Sequence, residues 1–443
     1  MDRRNYSLKC PGVPSAMNGH IDHEVRGEHL ALEDRCRLVL AVSRAMFVNG
    51  ESTDQTITAG ERLAEVLGLR ARIVPHWGEL QLLAEDASLS RVVAADPAGV
   101  NMTRVVSAMR IAHELGMGKL TLAAACEEID RISRVPPAPT WLFTLAAGAG
   151  ALALALIYGA RHVTACALIL LSAAAGAVLR RCLGRYNDNL LLQPFCAALL
   201  AGTIGALAAR FQLSSSLRLI AVCPCMILVP GPHILNGGLD LIQGRMSLGA
   251  ARLLYAGLVV LAISVGLLLA FTLLGVSLPI NPESRAVSIW EDIIPAGVAV
   301  AAFSIFYSKP LYMFPWPVVV GMLAHGVRWW TLSDFGYGAP IGAFAACLLV
   351  GTILAPVSRR WDMPFAAIGF ASVVSMMPGI YLFRTASGLL QLADASHATL
   401  DLIGATISNG MMATTVIVAM SLGLVVPKLI FDRLWKCPRH ASS

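Results

Sequence analysis

The sequence predicts a mainly α-helical, polytopic membrane protein. Ten transmembrane helices are expected to form two inverted five-helix repeats, preceded by a small soluble α+β domain. Three observations predict this fold class. First, the 443 residues are 56% hydrophobic and 14% charged, with a mean hydropathy of +0.66, which is too apolar for an ordinary soluble domain. Second, the apolar part divides into segments near the roughly 20 residues that cross a bilayer. Third, one of these segments occurs twice.

The repeated segment is sixteen residues long, and its two copies lie 149 residues apart. Residues 195–210 and 344–359 share nine identical residues, including a Gly-Thr-Ile sequence and the final arginine. One span later in each copy, a Pro-Gly pair interrupts the apolar sequence, at Pro230-Gly231 and at Pro378-Gly379. Interrupted helices at corresponding places of two repeats are typical of secondary transporters.

The chain before the first apolar segment divides into a tail and a soluble domain. Residues 1–30 are polar, rich in Gly, Pro and His, and lack the apolar run of a signal peptide, which predicts a disordered tail. Residues 31–138 carry charges among periodic apolar positions and predict the element order ααβββαα. The helices are expected at about 38–48, 58–67, 103–115 and 120–132, and the strands at 71–74, 79–83 and 91–94.

The membrane part is expected to contain two sets of five spans. Repeat 1 covers residues 139–276, repeat 2 covers residues 277–434, and a cytoplasmic tail follows at 435–443. An odd number of spans in each unit places the second copy upside down relative to the first. The spans are predicted at 141–160, 162–180, 190–209, 216–237, 251–276, 289–307, 310–327, 339–357, 363–383 and 402–430.

Lys and Arg counting predicts that both termini are cytoplasmic. This orientation places twelve basic residues on the inner side, among them Arg180, Arg252 and Lys309, and six on the outer side. Positive-inside sorting therefore explains the net charge of +6. We expect a lipid bilayer and no nucleic acid as partner, because no basic stripe interleaved with aromatic residues is present.

The two interrupted spans carry the candidate substrate-binding residues. Proline removes an amide donor and glycine relaxes the backbone, so each break offers backbone donors to a carboxylate and carbonyls to an ammonium. A simple packing kink is the alternative. If the helix resumes after the first break, three polar residues fall on one narrow stripe, and the second copy has polar residues at two of the equivalent positions. The candidate residues are Pro230, Gly231, His233 and Asn236 in the first copy, and Pro378, Gly379, Tyr381 and Arg384 in the second.

Ionisable residues inside spans are costly and indicate function. His233 and Asp240, the third member of the stripe, are the first candidates for carrying a proton, because imidazole titrates near neutral pH and a desolvated carboxylate can approach it. Asp240→Asn is then expected to abolish proton-driven efflux while leaving expression intact. Glu291 and Asp292 are second candidates or interfacial residues, and His325 is expected at the membrane interface beside Arg328 and two tryptophans.

No metal, cofactor or ATP site is predicted. Cys223-x-Cys225 lacks a second ligand pair and is interpreted as packing, and no Walker-type glycine-rich loop is present. In the soluble domain, Ser52 or Thr53 with His76 or His113 would be needed for a membrane-anchored hydrolase. Gly50-Glu51-Ser52-Thr53 is equally explained as a helix end followed by an N-cap. We predict that the chain is not an enzyme. The alternatives are the membrane-anchored hydrolase and a sensor whose spans only transmit a signal.

At these residues the chain resembles the threonine/serine exporter family. The most recognisable stretch is Pro230-Gly231-x-x-Ile234-x-Asn236-Gly237-x-x-Asp240-Leu241-x-x-Gly244-Arg245, between a long cytoplasmic leader and further spans. The resemblance implies export of threonine, serine and related small solutes across the bacterial cytoplasmic (inner) membrane by the proton motive force. Relatives that split the two membrane parts between chains are associated with dicarboxylate export, such as succinate, which is the alternative substrate class. We therefore expect a proton-coupled antiporter that works by alternating access.

Overall fold

A computed structural model describes residues 22–84, 90–97, 99–187, 189–213, 217–276, 287–361, 363–393 and 399–436. The tails predicted at 1–30 and 435–443 lie outside the described residues, except for residues 22–30 and 435–436, which are helical. The chain divides into two compact units, residues 1–137 and 138–443, which are described separately.

The first unit has the element order ααβββαα that the sequence predicts. Its three strands form an antiparallel sheet in the order β1-β2-β3, with Val74 opposite Gln81 and Leu82 opposite Arg91. Leu38, Val42 and Leu80 are among its buried core residues. The elements are α1 (Asp22–Phe47), α2 (Thr53–Val66), β1 (Ala71–His76), β2 (Gly78–Ala84), β3 (Ser90–Ala95), α3 (Met102–Gly116) and α4 (Leu122–Ser133).

The sequence Gly50-Glu51-Ser52-Thr53 connects α1 to α2. Gly50 has a φ of +97°, a left-handed conformation that favours glycine. Ser52 is the N-cap of α2, and its Oγ accepts a hydrogen bond from the amide of Gln55 at 3.4 Å and donates one to Glu51 Oε1 at 3.2 Å. The N-cap interpretation of this sequence is therefore confirmed.

The second unit is entirely helical over the described residues. The helices of its first half are α5 (Thr140–Ile157), α6 (Val163–Tyr186), α7 (Leu192–Arg210), α8 (Leu217–Met226), α9 (Gly231–Ile242) and α10 (Met246–Leu273). Those of its second half are α11 (Ile289–Phe306), α12 (Pro315–Ser333), α13 (Ala339–Arg360), α14 (Phe365–Val373), α15 (Gly379–Leu392) and α16 (Leu400–Lys436). Short 3₁₀ turns occur at Leu311–Met313 and Val374–Met376.

The helices give seven to nine candidate membrane spans within the described part of the chain. Seven are long and apolar enough alone, namely α5, α6, α7, α10, α11, α13 and α16. Two bent pairs could each form one more span: α8 and α9 are bent by 60°, and α14 and α15 by 62°. Helix α12 occupies the position of the seventh expected span but is not among them, since His325 and Arg328 reduce its hydropathy. Ten spans therefore remain a prediction.

The two halves of the second unit repeat the same helix pairings. In the first half α5 packs on α6, α6 on α7, and α7 and α9 on α10. In the second half α11 packs on α12, α12 on α13, and α13 and α15 on α16. Helices α5 and α11 are both 18 residues long and begin at residues 140 and 289. These starts lie 149 residues apart, the same distance as between the two copies of the repeated segment.

One close glycine contact occurs in both halves. A Cβ atom added at Gly266 of α10 would lie 2.6 Å from the carbonyl oxygen of Phe195, and one added at Gly423 of α16 would lie 2.8 Å from that of Phe344. Phe195 and Phe344 are the first residues of the two copies of the repeated segment. The sequence repeat therefore corresponds to a repeated packing of α7 on α10 and of α13 on α16.

We predict that Gly266→Ala and Gly423→Ala each lower the stability of the membrane unit. The added methyl group has no room against backbone atoms, and overpacking of this kind costs about 1–3 kcal/mol. Gly257→Ala in α10 and Gly404→Ala in α16 are matched controls, because no atom lies within 4 Å of a Cβ at either position. The measurement is the melting temperature of the purified full-length protein, and equal melting temperatures for all four variants would contradict the packing.

Candidate functional site

The two interrupted helix pairs contact each other at their breaks. A Cβ atom added at Gly231, where α9 begins, would lie 3.0 Å from Cγ2 of Val374 in the 3₁₀ turn before the second break. One added at Gly379, where α15 begins, would lie 3.5 Å from Cε of Met226 and 3.7 Å from Cγ2 of Val229 in the first break. Each Pro-Gly pair therefore packs against residues of the other break.

Both breaks have the same backbone geometry. Pro230 has φ −79° and ψ 65°, and the amide of Gly231 donates to the carbonyl of Val229 at 2.8 Å. Pro378 has φ −76° and ψ 44°, and the amide of Gly379 donates to the carbonyl of Met377 at 2.7 Å. A bond between residues i and i+2 around such a residue is an inverse γ-turn. Each proline thus lies in the break, and the next helix starts at the glycine that follows.

The stripe predicted on the helix after the first break is buried. His233, Asn236 and Asp240 are exposed by 6%, 1% and 1%, respectively. The ring centroid of His233 lies 5.0 Å from that of Tyr255 in α10, at an interplanar angle of 49°. Because His233 and Asp240 both contact residues of α10, this stripe faces the protein interior.

Asp240 lies between two arginines at the turn that joins α9 to α10. Its Oδ2 is 3.2 Å from Nε of Arg252, which is buried, and its Oδ1 is 3.5 Å from a terminal nitrogen of Arg245. The amide of Arg245 donates to the carbonyl of Asp240 at 2.8 Å, and Gly244 between them has a φ of +79°. The Asp240 carboxylate therefore fixes the turn as well as neutralising buried positive charge.

The equivalent residues after the second break form a different arrangement. Tyr381 and Arg384 are both half-buried, and the guanidinium carbon of Arg384 lies 6.0 Å from the centroid of the Tyr381 ring. This distance is within the range of a cation–π interaction. At the position equivalent to Asp240, Gly388 packs so closely against Thr406 of α16 that an added Cβ would overlap that side chain. The two stripes therefore share a backbone but not their charges.

A second polar cluster connects α11, α12 and the 3₁₀ turn of the second break. Nδ1 of His325 lies 3.1 Å from Oδ1 of Asp292, and its Nε2 lies 2.8 Å from Oγ of Ser375. The three residues are exposed by 0%, 4% and 3%. Tyr158, at the end of α5, interacts electrostatically with Asp292 and with Arg328.

His325 is buried and does not share with Arg328 and the tryptophans the exposed, anchor-like cluster that the sequence suggested. The prediction relied on Arg328 and the tryptophans that follow, but His325 lies one helical turn before them, on the face of α12 that packs on α11 and α14. For Glu291 and Asp292 the sequence left open whether they are proton carriers or interfacial residues, and the structure places the two side chains differently. Asp292 is buried, whereas Glu291 is exposed and its Oε2 accepts from Arg161 at 2.8 Å.

A small cavity with room for about one water molecule lies beside the first break. Its polar lining consists of Ser172 and Arg180 of α6, and the guanidinium carbon of Arg180 lies 5.3 Å from the ring centroid of Phe306. The apolar lining includes Ile227 and Leu228, which belong to the break. Sequence reasoning missed this cavity, because Arg180 ends an apolar segment and was counted as a loop charge.

Two further basic residues counted as inner loop charges are buried. They are Arg252, described above, and Lys309, which follows α11 and whose Nζ donates to Oγ of Ser304 at 3.2 Å. Desolvation lowers the pKa of Lys309 to about 7. A count of Lys and Arg cannot separate buried basic residues from charges that face water. The sequence therefore contained no signal that these residues are buried.

Comparison with known proteins connects this geometry to one family. A family model described as a threonine/serine exporter, ThrE, matches residues 37–274, which include most of the first unit and the first half of the second unit. A second model, described as Threonine/Serine exporter, matches residues 292–430 in the second half. No solved structure matches the chain.

We predict that Asp240→Asn destabilises the protein strongly. Removing one partner of a buried ion pair leaves Arg252 charged and buried, which costs about 3–5 kcal/mol. Asp432→Asn is the control, because that carboxylate forms an exposed pair with Arg359 at 3.9 Å, and such pairs contribute about 1 kcal/mol or less. The melting temperature of the purified protein distinguishes the two variants, and a similar small shift in both would refute the structural function of Asp240.

Proposed function

The chain belongs to the threonine/serine exporter family, and from this membership we propose a proton-coupled antiporter of threonine and serine. The family implies export of amino acids by a multi-pass membrane protein. Proton exchange, the bacterial inner membrane and cytoplasmic termini are the parts that we propose in addition. The charge distribution of the sequence supports the orientation.

Alternating access between two inverted five-span repeats is the proposed transport mechanism. The repeated helix pairings and the shared Gly266 and Gly423 contacts support a common origin of the two halves. Helix α12 completes the second set of five. Its 19 residues extend roughly 28 Å at 1.5 Å per residue, close to the thickness of the hydrocarbon core. With five spans in each half, the halves insert in opposite orientations, and rocking one against the other opens the site to either side.

The observation that carries the proposal is the contact between the two breaks. Both prolines leave backbone groups outside regular helix hydrogen bonding, and such groups are tolerated at membrane depth where protein covers them or a cavity receives them. We propose that the substrate binds between the breaks, where motion of one half changes the contacts of the other. The proposed binding residues are Pro230, Gly231, His233, Asn236, Pro378, Gly379, Tyr381 and Arg384.

The buried contacts favour the pair of Asp292 and His325 as the proton carrier. The sequence favours His233 and Asp240, but the Asp240 carboxylate already interacts with two guanidinium groups, which attract its charged form. The His325 imidazole, in contrast, has an acidic partner on one nitrogen and a hydroxyl on the other. With Asp292 ionised, Nδ1–H donates to the carboxylate and Nε2 can take up a second proton, while the Ser375 hydroxyl rotates to accept.

Ser375 gives this proton site a connection to the substrate site. It lies two residues before Met377, whose carbonyl accepts the hydrogen bond of the second inverse γ-turn. Protonation of His325 reverses the direction of the hydrogen bond with Ser375 and so acts on the break itself. A change of charge at the pair can therefore favour one arrangement of the breaks over the other.

Two alternatives remain in the proposal. Dicarboxylates such as succinate are an alternative substrate class, because the family resemblance extends to exporters of that kind. A hydrolase in the soluble unit is less supported, because the Ser52 hydroxyl is engaged with the amide of Gln55 and with Glu51. The match to the exporter family also favours a transporter over an enzyme.

The proposed function predicts threonine and serine flux in proteoliposomes that contain the full-length protein. An imposed pH gradient should drive labelled threonine and serine against their concentration gradients, and collapsing the gradient should stop the accumulation. Labelled succinate is measured in parallel. Flux of succinate alone would assign the alternative substrate class, and flux that ignores the pH gradient would refute proton coupling.

We predict that Asp292→Asn and His325→Gln uncouple transport from protons. Each variant should lose most of the flux driven by the pH gradient, by about tenfold or more, and retain exchange of internal for external threonine, which needs no net proton movement. Glu291→Gln is the matched control, since the neighbouring carboxylate is exposed and pairs with Arg161. If Asp292→Asn behaves like Glu291→Gln, the pair is not the proton carrier.

A further inference from the structure

We propose that the cavity beside the first break is a carboxylate subsite, in which Arg180 and Ser172 bind the α-carboxylate of the exported amino acid. This inference rests on the proposed function, because it names the part of the transporter that recognises the charge of its substrate. Three observations support the inference. Two polar side chains lie in one cavity, the cavity lies beside the first break, and the equivalent place in the second half holds the Asp292–His325 cluster.

Ser172 is the first of these side chains. It is 1% exposed, it lines the cavity, and its Oγ has no hydrogen-bond partner within the described residues. Ser264 has such a partner in the carbonyl of Val260 at 3.0 Å, whereas the buried Ser421 of α16 lacks one, as Ser172 does. A buried hydroxyl without a partner is unfavourable, and a ligand oxygen in the cavity would satisfy it.

Arg180 supplies the positive charge. It interacts with the face of Phe306, but its Nε has no hydrogen-bond partner, and no carboxylate in the described part of the chain forms an ion pair with it. The next residue is different: Arg181 donates to the carbonyl of Ala138 at 3.0 Å and lies 4.3 Å from the ring centroid of Phe143. Arg180 is half-buried, and the planar donors of its guanidinium group fit a carboxylate.

The cavity adjoins the first break, after which the polar stripe of α9 begins. Ile227 and Leu228 of the break form part of its wall. A carboxylate held by Arg180 would therefore lie beside the break.

The second half explains why this space is open. Asp292 and His325 follow Phe143 and Gly176 by 149 residues, and Ser375 precedes its break by the same number of residues as Ile227. Gly176 and Ile227 line the cavity, and Phe143 stacks on its Phe306 wall at 4.5 Å. Where the second half has an acid–imidazole–hydroxyl cluster, the first half has a cavity with a cation. The equivalent positions thus hold a proton site in one repeat and an anion site in the other.

Binding of threonine and of threoninamide, which lacks the carboxylate, to the full-length protein in nanodiscs tests the subsite. The wild-type protein should prefer threonine, and Arg180→Gln should weaken threonine binding by about 10- to 100-fold, the usual effect of losing a charged hydrogen bond. Threoninamide binding should hardly change, so that the affinity ratio approaches one. Ser172→Ala should reduce the ratio less, and Arg180→Lys should restore part of it.

Arg181→Gln is the matched control and should keep the wild-type ratio. If Arg180→Gln also keeps the wild-type ratio, the subsite is refuted, even if both affinities fall together. If Arg180→Gln fails to fold, Ser172→Ala and Arg180→Lys replace it as test variants. The subsite is then refuted if both of them keep the wild-type ratio of threonine to threoninamide affinity. Succinate separates the two proposals: binding of succinate but not of threonine, lost in Arg180→Gln, keeps the carboxylate subsite and refutes amino acid export. Absence of wild-type binding to all three compounds refutes both.

Discussion

A constraint on the backbone governs the arrangement of this membrane unit. Hydrocarbon offers no hydrogen bonds, so a helix that is interrupted inside a bilayer must cover its interruption with protein. Here two interruptions cover each other. Each closes with an inverse γ-turn around its proline, and Gly231 lacks the side chain that would crowd Val374 of the other break. The irregular backbone of each break is thereby covered by the other break.

Around these breaks, a common scaffold carries two kinds of charge. The first half has a carboxylate between two arginines at the end of α9 and a separate guanidinium in a cavity. The second half has an acid and an imidazole with a serine of the break. In our proposal the first half recognises the substrate and the second half binds the proton. Because the breaks touch, neither site can rearrange without changing the surroundings of the other, which is the physical requirement for coupling.

Local patterns in the sequence predict local structure well in this chain. The order of the soluble elements, the N-cap at Ser52 and the positions of both breaks follow from periodicity, capping and the conformations of proline and glycine. The contacts of ionisable residues are less predictable. His325 meets partners 33 and 50 residues away, so its burial depends on how α12 packs. Arg180 and Arg252 lie at the ends of apolar segments, where hydropathy and charge counting treat every arginine as solvent-exposed.

In our proposal, Asp240 is a buried carboxylate that holds the structure together and does not carry the proton. A carboxylate inside a span is expensive, and the sequence rule that treats it as functional is sound. The cost, however, can be offset by a fixed positive charge, and then the group serves to hold two elements together. Arg252 and Arg245 have this effect on Asp240. A carrier must instead change its protonation state while its groups keep their hydrogen bonds, which an acid–imidazole pair can do as it passes from a net negative charge to neutrality.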